Sequence, residues 1–237
     1  MYKKIFSAAA LVACLLQTRA QLSVAAEAGL SYNMPDADIS NMTSARVRPG
    51  YGYAFALNFS KSISHHFSLQ LLPGVQQKSF SIRRTGDLKG IYMEQRNTYL
   101  QLPLLLRYRL NHPAGKVYYY AEMGGYYAYW LAGREIGEIP DIFGISSRVN
   151  STGQREEVFQ LEHYSAAHHF DDRVDRRDEW GWTAGGEVHY GFNKRRELSL
   201  AIRYYQSLTS RQKSAPASGS GQYDRVWNLS IGYIIVL

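Results

Sequence analysis

The sequence predicts an all-β chain, an eight-stranded antiparallel up-and-down transmembrane β-barrel with long extracellular loops. Three observations predict it. Apolar and polar residues alternate with period 2 in eight separate segments, and the connectors between those segments alternate long and short. An N-terminal apolar stretch reads as an export signal, and no later apolar run is long enough for a spanning helix, which excludes a helical membrane protein. Composition agrees: 19 Tyr, in a chain that is 14% aromatic, suit strands and also water–lipid boundaries, where an apolar ring with a polar tip is stable.

The export signal has three parts. Met1 to Lys4 is the charged region, Ile5 to Leu16 the apolar run, and Thr18-Arg19-Ala20 the small-x-small cleavage site. Residues 1–20 are therefore read as a signal peptide and residues 21–237 as one barrel domain. The rival reading is a lipobox, Leu11 to Cys14, with Cys14 lipidated, but Leu15 and Leu16 continue the apolar run where a lipoprotein usually turns polar. Cleavage removes the only Cys, leaving no internal disulfide, thiol nucleophile or thiolate ligand. It also removes Lys3, Lys4 and Arg19 with no acid, so the formal charge falls from +7 to +4. That mild excess, with no basic helix or RNA-binding aromatic motif, is no argument for nucleic acid, and no nucleic-acid partner is expected.

In chain order, Leu22 to Tyr32 sets Val24, Ala26, Ala28 and Leu30 against Ser23, Ala25, Glu27 and Gly29. Gly50 to Ser60 opposes Tyr51, Tyr53, Phe55, Leu57 and Phe59 to Gly52, Ala54, Ala56 and Asn58. Phe67 to Ile82 continues the pattern, blurred at Leu72 and Pro73. Tyr99 to Leu110 is the clearest strand, with Leu100, Leu102, Leu104, Leu106 and Tyr108 on one side and Gln101, Leu105, Arg107 and Arg109 on the other. Val117 to Leu131 follows after a link containing Pro113 and Gly115, so the two form a hairpin. Trp180 to Phe192, Glu197 to Leu208 and Tyr223 to Leu237 complete the set. The even number is the one that single-chain bacterial barrels use.

Connector lengths set the orientation. Residues 33–49, 83–95, 132–179 and 209–222 are long, and residues 61–66, 111–116 and 193–196 are short. In outer-membrane barrels the short turns face the periplasm, with both termini, and the long loops face outward. The connector from Ala132 to Glu179 is read as a long polar loop, and loops of that length usually carry function.

Alternation alone fits a soluble barrel too, so the identity of the polar face decides. It is mostly Gly, Ala, Ser and Asn with no Lys, which suits a crowded lumen better than a solvated surface. Glu27, Arg107, Glu122, Glu187 and Arg203 fall on this face and are expected to form interior ion pairs, with the register through residues 193–196 bringing Glu187 opposite Arg203. Tyr32, Tyr51, Phe59, Phe67, Tyr108, Trp180 and Phe192 lie near segment ends, as an interfacial belt requires.

The strand Tyr99 to Leu110, the run MGGYYAYWL from Met123 to Leu131 and the closing WNLSIGYI from Trp227 to Ile234 resemble strands of the PorT-like outer-membrane β-barrel family. The resemblance spans most of the mature chain and rests on strand patterns rather than reactive residues. It implies a bacterial outer-membrane location and a link to protein secretion or another envelope function. Insertion by the barrel-assembly machinery is expected from the C-terminal pattern, in which Trp227 and Tyr233 are kept and Leu237 stands where an aromatic is usual.

Reactive constellations are few. His163, His168, His169, Asp171 and Asp172 could in principle ligate a metal, but the neighbouring run DDRVDRRDE reads as a solvated loop, and no metal or cofactor is expected. His65 and His66 read as solvent-facing turn residues. His189 with Glu187 and Ser199 imitates a hydrolase triad, yet all three have interior parity, whereas a membrane-embedded lipid hydrolase needs them on the lipid face. The chain is therefore read as a non-enzymatic, monomeric barrel of structural or interaction type. Its expected partners are outer-membrane lipid and an extracellular or envelope protein engaged by the long loop. The alternatives are a small pore or, less well supported, a lipid-modifying enzyme.

Overall fold

The computed structural model describes residues 22–36, 44–86, 89–110, 115–149, 153, 155–193, 195–213 and 222–237. Both readings of the N-terminal segment, signal peptide and lipobox, lie outside the described residues. Ten strands form one sheet: β1 (Leu22–Asn33), β2 (Ala45–Ser62), β3 (Phe67–Leu71), β4 (Gly74–Arg84), β5 (Tyr92–Arg109), β6 (Val117–Val149), β7 (Arg155–Ala167), β8 (Asp178–Asn193), β9 (Arg196–Ser207) and β10 (Arg225–Val236).

Eight strand positions close into a ring. Neighbours around the ring pair antiparallel, β6 with β8 across the intervening β7, and β1 pairs with β10 from Ser23 opposite Val236 to Asn33 opposite Val226, so no ring edge is left open. β3 and β4 share one position. Phe59 faces Leu71 and Ala56 faces Gly74 in one register across the break at Pro73, which has no N–H to give the ladder.

Period 2 does the sorting that the sequence suggests. Leu102, Leu104, Leu106, Leu200, Ile202, Leu229 and Ile231 point outward and are exposed, whereas Glu27, Arg107, Glu122, Glu187 and Arg203 are buried in the lumen. An exposed continuous apolar band around a charged interior is the inverse of a soluble protein and is stable only in lipid. Rings bound the band: Tyr32 meets Tyr51, and Trp182, Tyr204 and Trp227 meet in series at one end, while Phe67 packs on Tyr108 and Tyr190 on Phe192 at the other.

The connector Ala132 to Glu179 is not the loop that its polarity predicts. β6 runs for 33 residues, well past the band, and pairs with β7 from Arg134 opposite Ala167 to Val149 opposite Arg155. β7 pairs with no other strand, and β6 stays paired with β5 as far as Glu138 opposite Tyr92, so the hairpin rises from the ring wall and projects past it. Gln160, Leu161, Glu162 and His163 are exposed in succession, so both faces of β7 meet water there, no apolar face is needed and the period-2 signal is absent. The segment from His168 to Arg177 then folds back across the long-loop end. It is held by His168 N–H to Gly133 O (2.9 Å), Trp130 N–H to Arg177 O (2.8 Å) and Arg176 N–H to Arg211 O (2.7 Å).

Candidate functional site

The lumen and the mouth above it hold the polar chemistry of the protein. Nearest the short turns, the Arg107 guanidinium donates to Glu187 (3.1 Å), Ser68 Oγ (3.0 Å) and Ser60 Oγ (2.9 Å) and lies 4.4 Å from the Tyr120 ring centre. His189 is wedged between two carboxylates, Nε2 at 3.0 Å from Glu187 and Nδ1 at 2.8 Å from Glu197. Neither ring nitrogen is turned to Ser199, so the triad imitation has no nucleophile–base contact. His65 and His66 are exposed in the turn between β2 and β3.

One layer deeper, Arg203 is the hub. Its guanidinium reaches Glu27 (2.5 Å), Glu122 (2.6 Å) and Ser230 Oγ (3.3 Å), and Asn58 Nδ2 donates to Glu27 at 2.7 Å. The expected opposition of Glu187 and Arg203 is corrected. A bulge at Gly191 to Asn193 puts Gly185 opposite Arg203 and Ala201 opposite Glu187, leaving those two charges 3.8 Å apart as a secondary contact. Gly185 makes the hub possible, because a Cβ there would come within 3.1 Å of Arg203 Cγ and 2.3 Å of the Ile202 carbonyl oxygen. The structure thus gathers Glu27, Glu122, Glu187, Arg107 and Arg203 into two adjoining networks.

A second ionic cluster sits at the long-loop end, and sequence reasoning missed it. Lys78 is fully buried, its ammonium 2.5 Å from Glu179, 3.7 Å from Asp224 and 4.4 Å from the centre of the Tyr99 ring. Arg211 closes the set by donating to Asp224 at 2.6 Å and to Gln95 at 3.3 Å. The expectation of a lumen without lysine is therefore wrong. Lys78 shares parity with Gln76 and Asp224 with Asn228, which was the available signal, whereas Arg211 lies in a connector that periodicity does not place. Burial works against ionisation of Asp224, but the Arg211 guanidinium and the Lys78 ammonium outweigh it and hold the carboxyl below its ordinary range.

Aromatic rings roof this cluster. Trp130 is stacked between Tyr99 and His168, at 5.9 and 4.8 Å between centres, and Phe170 meets Trp130 edge-on. Arg177 lies over Phe170 at 4.2 Å. His168 binds Glu135 through Nδ1 (3.0 Å) and Asp175 through Nε2 (3.1 Å), so the carboxylates sit on opposite sides of the ring and cannot share an ion with it. Among the described residues no three His, Asp or Glu side chains converge on a point that could hold a metal. Between the two ionic clusters lies a cavity of about 30 Å³, lined by Gln76, Gln101, Tyr205 and Asn228, which is space for about two waters.

Family comparison decides what kind of barrel this is. The model for the outer membrane protein beta-barrel domain matches residues 17–211. The chain belongs to that family. No curated protein matches it. Among solved structures this outer-membrane barrel is similar to the outer membrane protein OprG of Pseudomonas aeruginosa (12% identity, 92% of this chain and 96% of that chain, TM-score 0.49). It is also similar to Neisserial surface protein A (10% identity, 90% and 96% covered, TM-score 0.44) and to the outer membrane protein W of E. coli (15% identity, 92% and 99% covered, TM-score 0.39).

Proposed function

We infer that this outer-membrane barrel is a monomeric, closed scaffold whose working surface is the β6–β7 hairpin, offered to an extracellular or envelope protein. The filled lumen carries this reading: two ionic clusters and an aromatic roof occupy it from end to end, so its charged interior serves rigidity rather than passage. The hairpin, in contrast, projects apolar residues into water. Ile139 and Leu161 are 46% and 45% exposed beyond the lipid band, where a partner would cover them. The resemblance to PorT-like barrels supports a role linked to secretion or the envelope, with the N-terminal segment acting as the export signal. The filled lumen opposes the pore reading, and the inward-facing, doubly bonded His189 opposes the enzyme reading.

The test is a photo-crosslinking residue placed at Ile139 or Leu161 in intact cells, compared with one at Leu229 in the lipid band. Discrete protein adducts are expected from the two hairpin positions and none from Leu229. Equal adducts from all three positions, or steady ion currents through the wild-type barrel in planar bilayers, would defeat the proposal.

A further inference from the structure

Arginines gather on the lipid-facing side of the barrel just past the aromatic ring at the long-loop end. β4 alternates without interruption from Val75, which faces outward between Phe55 and Leu100, through Gln77, Ser79 and Ser81 to Arg83. Residues directly opposed across a ladder share a face. The register therefore places Arg46 beside Arg83, Arg48 beside Ser81, Arg96 beside Ser79 and Arg134 beside Arg96, all on this outward face. All five arginines are exposed.

Two of these arrangements bear on a ligand. Arg46 with Arg83, and Arg96 with Arg134, are like charges placed directly across a ladder, which destabilises a sheet unless an anion lies between them. The sheet is also built to aim two of them outward. Even-numbered β2 residues such as Ala54 and Gly52 face the lumen, but the bulge between Pro49 and Ala54 inserts one residue and turns Arg46 and Arg48 to the lipid side.

Neutralisation from within is partial. Glu94 accepts from Arg96 Nε at 2.6 Å, Glu138 lies across from Tyr92, and Arg83 rests over the Tyr92 ring at 5.3 Å. Arg46, Arg48 and Arg134 have no acidic partner among the described residues. On the floor of the patch Ser79 is 1% exposed, and its hydroxyl has no hydrogen-bond partner among the described residues.

Depth identifies the occupant. Arg96 and Arg134 lie four residues beyond the level of Leu100 on β5, roughly 10 Å farther out at strand rise and barrel tilt, where the headgroup layer begins, and Arg46 and Arg83 lie four residues beyond them, about 10 Å farther again. We propose that this quadrant binds the phosphates of anionic lipid headgroups in the leaflet at the long-loop end, one at each arginine pair. Guanidinium forks suit bidentate contact with phosphate oxygens, and the acyl chains of such a lipid would lie on Tyr51, Phe55 and Leu100 directly below. A free phosphate would gain none of that apolar contact.

The full barrel in phosphatidylcholine nanodiscs doped with phosphatidic acid provides the test, with lipid retained after detergent extraction counted by native mass spectrometry. Wild type should retain phosphatidic acid over phosphatidylcholine. Changing Arg46, Arg83, Arg96 and Arg134 together to Gln should lower that retention about tenfold. Arg225→Gln, which removes an arginine already paired with Asp36 at 2.6 Å, should leave it unchanged. In undoped nanodiscs the fourfold variant should melt no lower than wild type, because its like-charge pairs are gone. Should it fold poorly, Arg46→Gln with Arg48→Gln, at exposed positions without an acidic partner among the described residues, must lower retention by itself. No preference in wild type, equal retention by the variants, or displacement of the lipid by inorganic phosphate would each overturn the proposal.

Discussion

Replacing Arg203 by Leu should be among the most damaging single changes in the lumen, and the structure says which acid suffers. Glu27 would keep two partners, Asn58 Nδ2 at 2.7 Å and Ser230 Oγ at 3.2 Å. Glu122 would keep none, since its Oε1 bonds only Arg203, at 2.6 Å, and its Oε2 has no partner. Removing one member of a buried ion pair costs about 3 to 5 kcal/mol, and the surviving bonds of Glu27 place the expected loss near the lower end, about 3 kcal/mol. A second change, Glu122→Leu, removes the orphaned charge and should return about half of that loss, because an apolar pair often does as well as a buried ionic one. Urea unfolding in lipid vesicles, followed by tryptophan fluorescence and by heat-modifiable gel mobility, reads both variants. A loss under about 1 kcal/mol for Arg203→Leu, or no recovery in the double variant, would refute the assignment of Glu122 as the dependent group.

Other outcomes follow from the same geometry. Leu200 is exposed at mid-band between Val188 and Ile231, so Leu200→Arg should cost about 2 to 4 kcal/mol and lower the yield of assembled barrel, whereas Ala201→Ser, facing the lumen, should be tolerated; equal yields would count against the membrane reading. The carboxyl of Asp224 is held below its ordinary range, so its contribution is complete above the unfolded value near pH 4 and is lost as pH falls through the lower folded value. Wild type should therefore lose stability below about pH 4, and Asp224→Asn should lose less over the same interval; identical slopes would exclude Asp224 as the titrating group. A protease site inserted in the hairpin at Gly153 should be cut on intact cells while one at the Asn193 turn is spared, and the reverse pattern would invert the barrel.

Legibility in the sequence tracked the number of environments that each strand divides. From Leu100 to Leu110 lipid lies on one side and the crowded lumen on the other, so every second residue is constrained and the period shows. Along β7 from Gln160 to His163 both faces are exposed and neither is constrained, so two strands passed for a loop. The interior charges were readable because a Glu or Arg among Gly, Ala and Ser on one parity has only the lumen to occupy. Their pairing was not, because the bulge at Gly191 to Asn193 shifts the β8–β9 register and hands Arg203 to Glu27 and Glu122. Lys78 was in phase with Gln76 and Asp224 with Asn228, and both could have been read, but Arg211 and the roof around Trp130 and His168 depend on connectors folding back over the ring.

The seam between β1 and β10 sets an order on assembly. Every other ladder of the ring joins adjacent ring positions in chain order, β6 to β8 skipping only the hairpin strand β7, whereas this one must wait for the last residues to arrive, ending with Leu237 N–H bonded to Leu22 O at 2.9 Å. Until then the growing sheet exposes two bare edges, each a template for unwanted pairing. Glu27 on β1 and Arg203 on β9 stand 176 residues apart and meet only after the first strand has docked on the last. Their ion pair is thus a latch that engages at the final step, so a chain truncated before β10 forfeits both the seam and the charge that would neutralise Glu27.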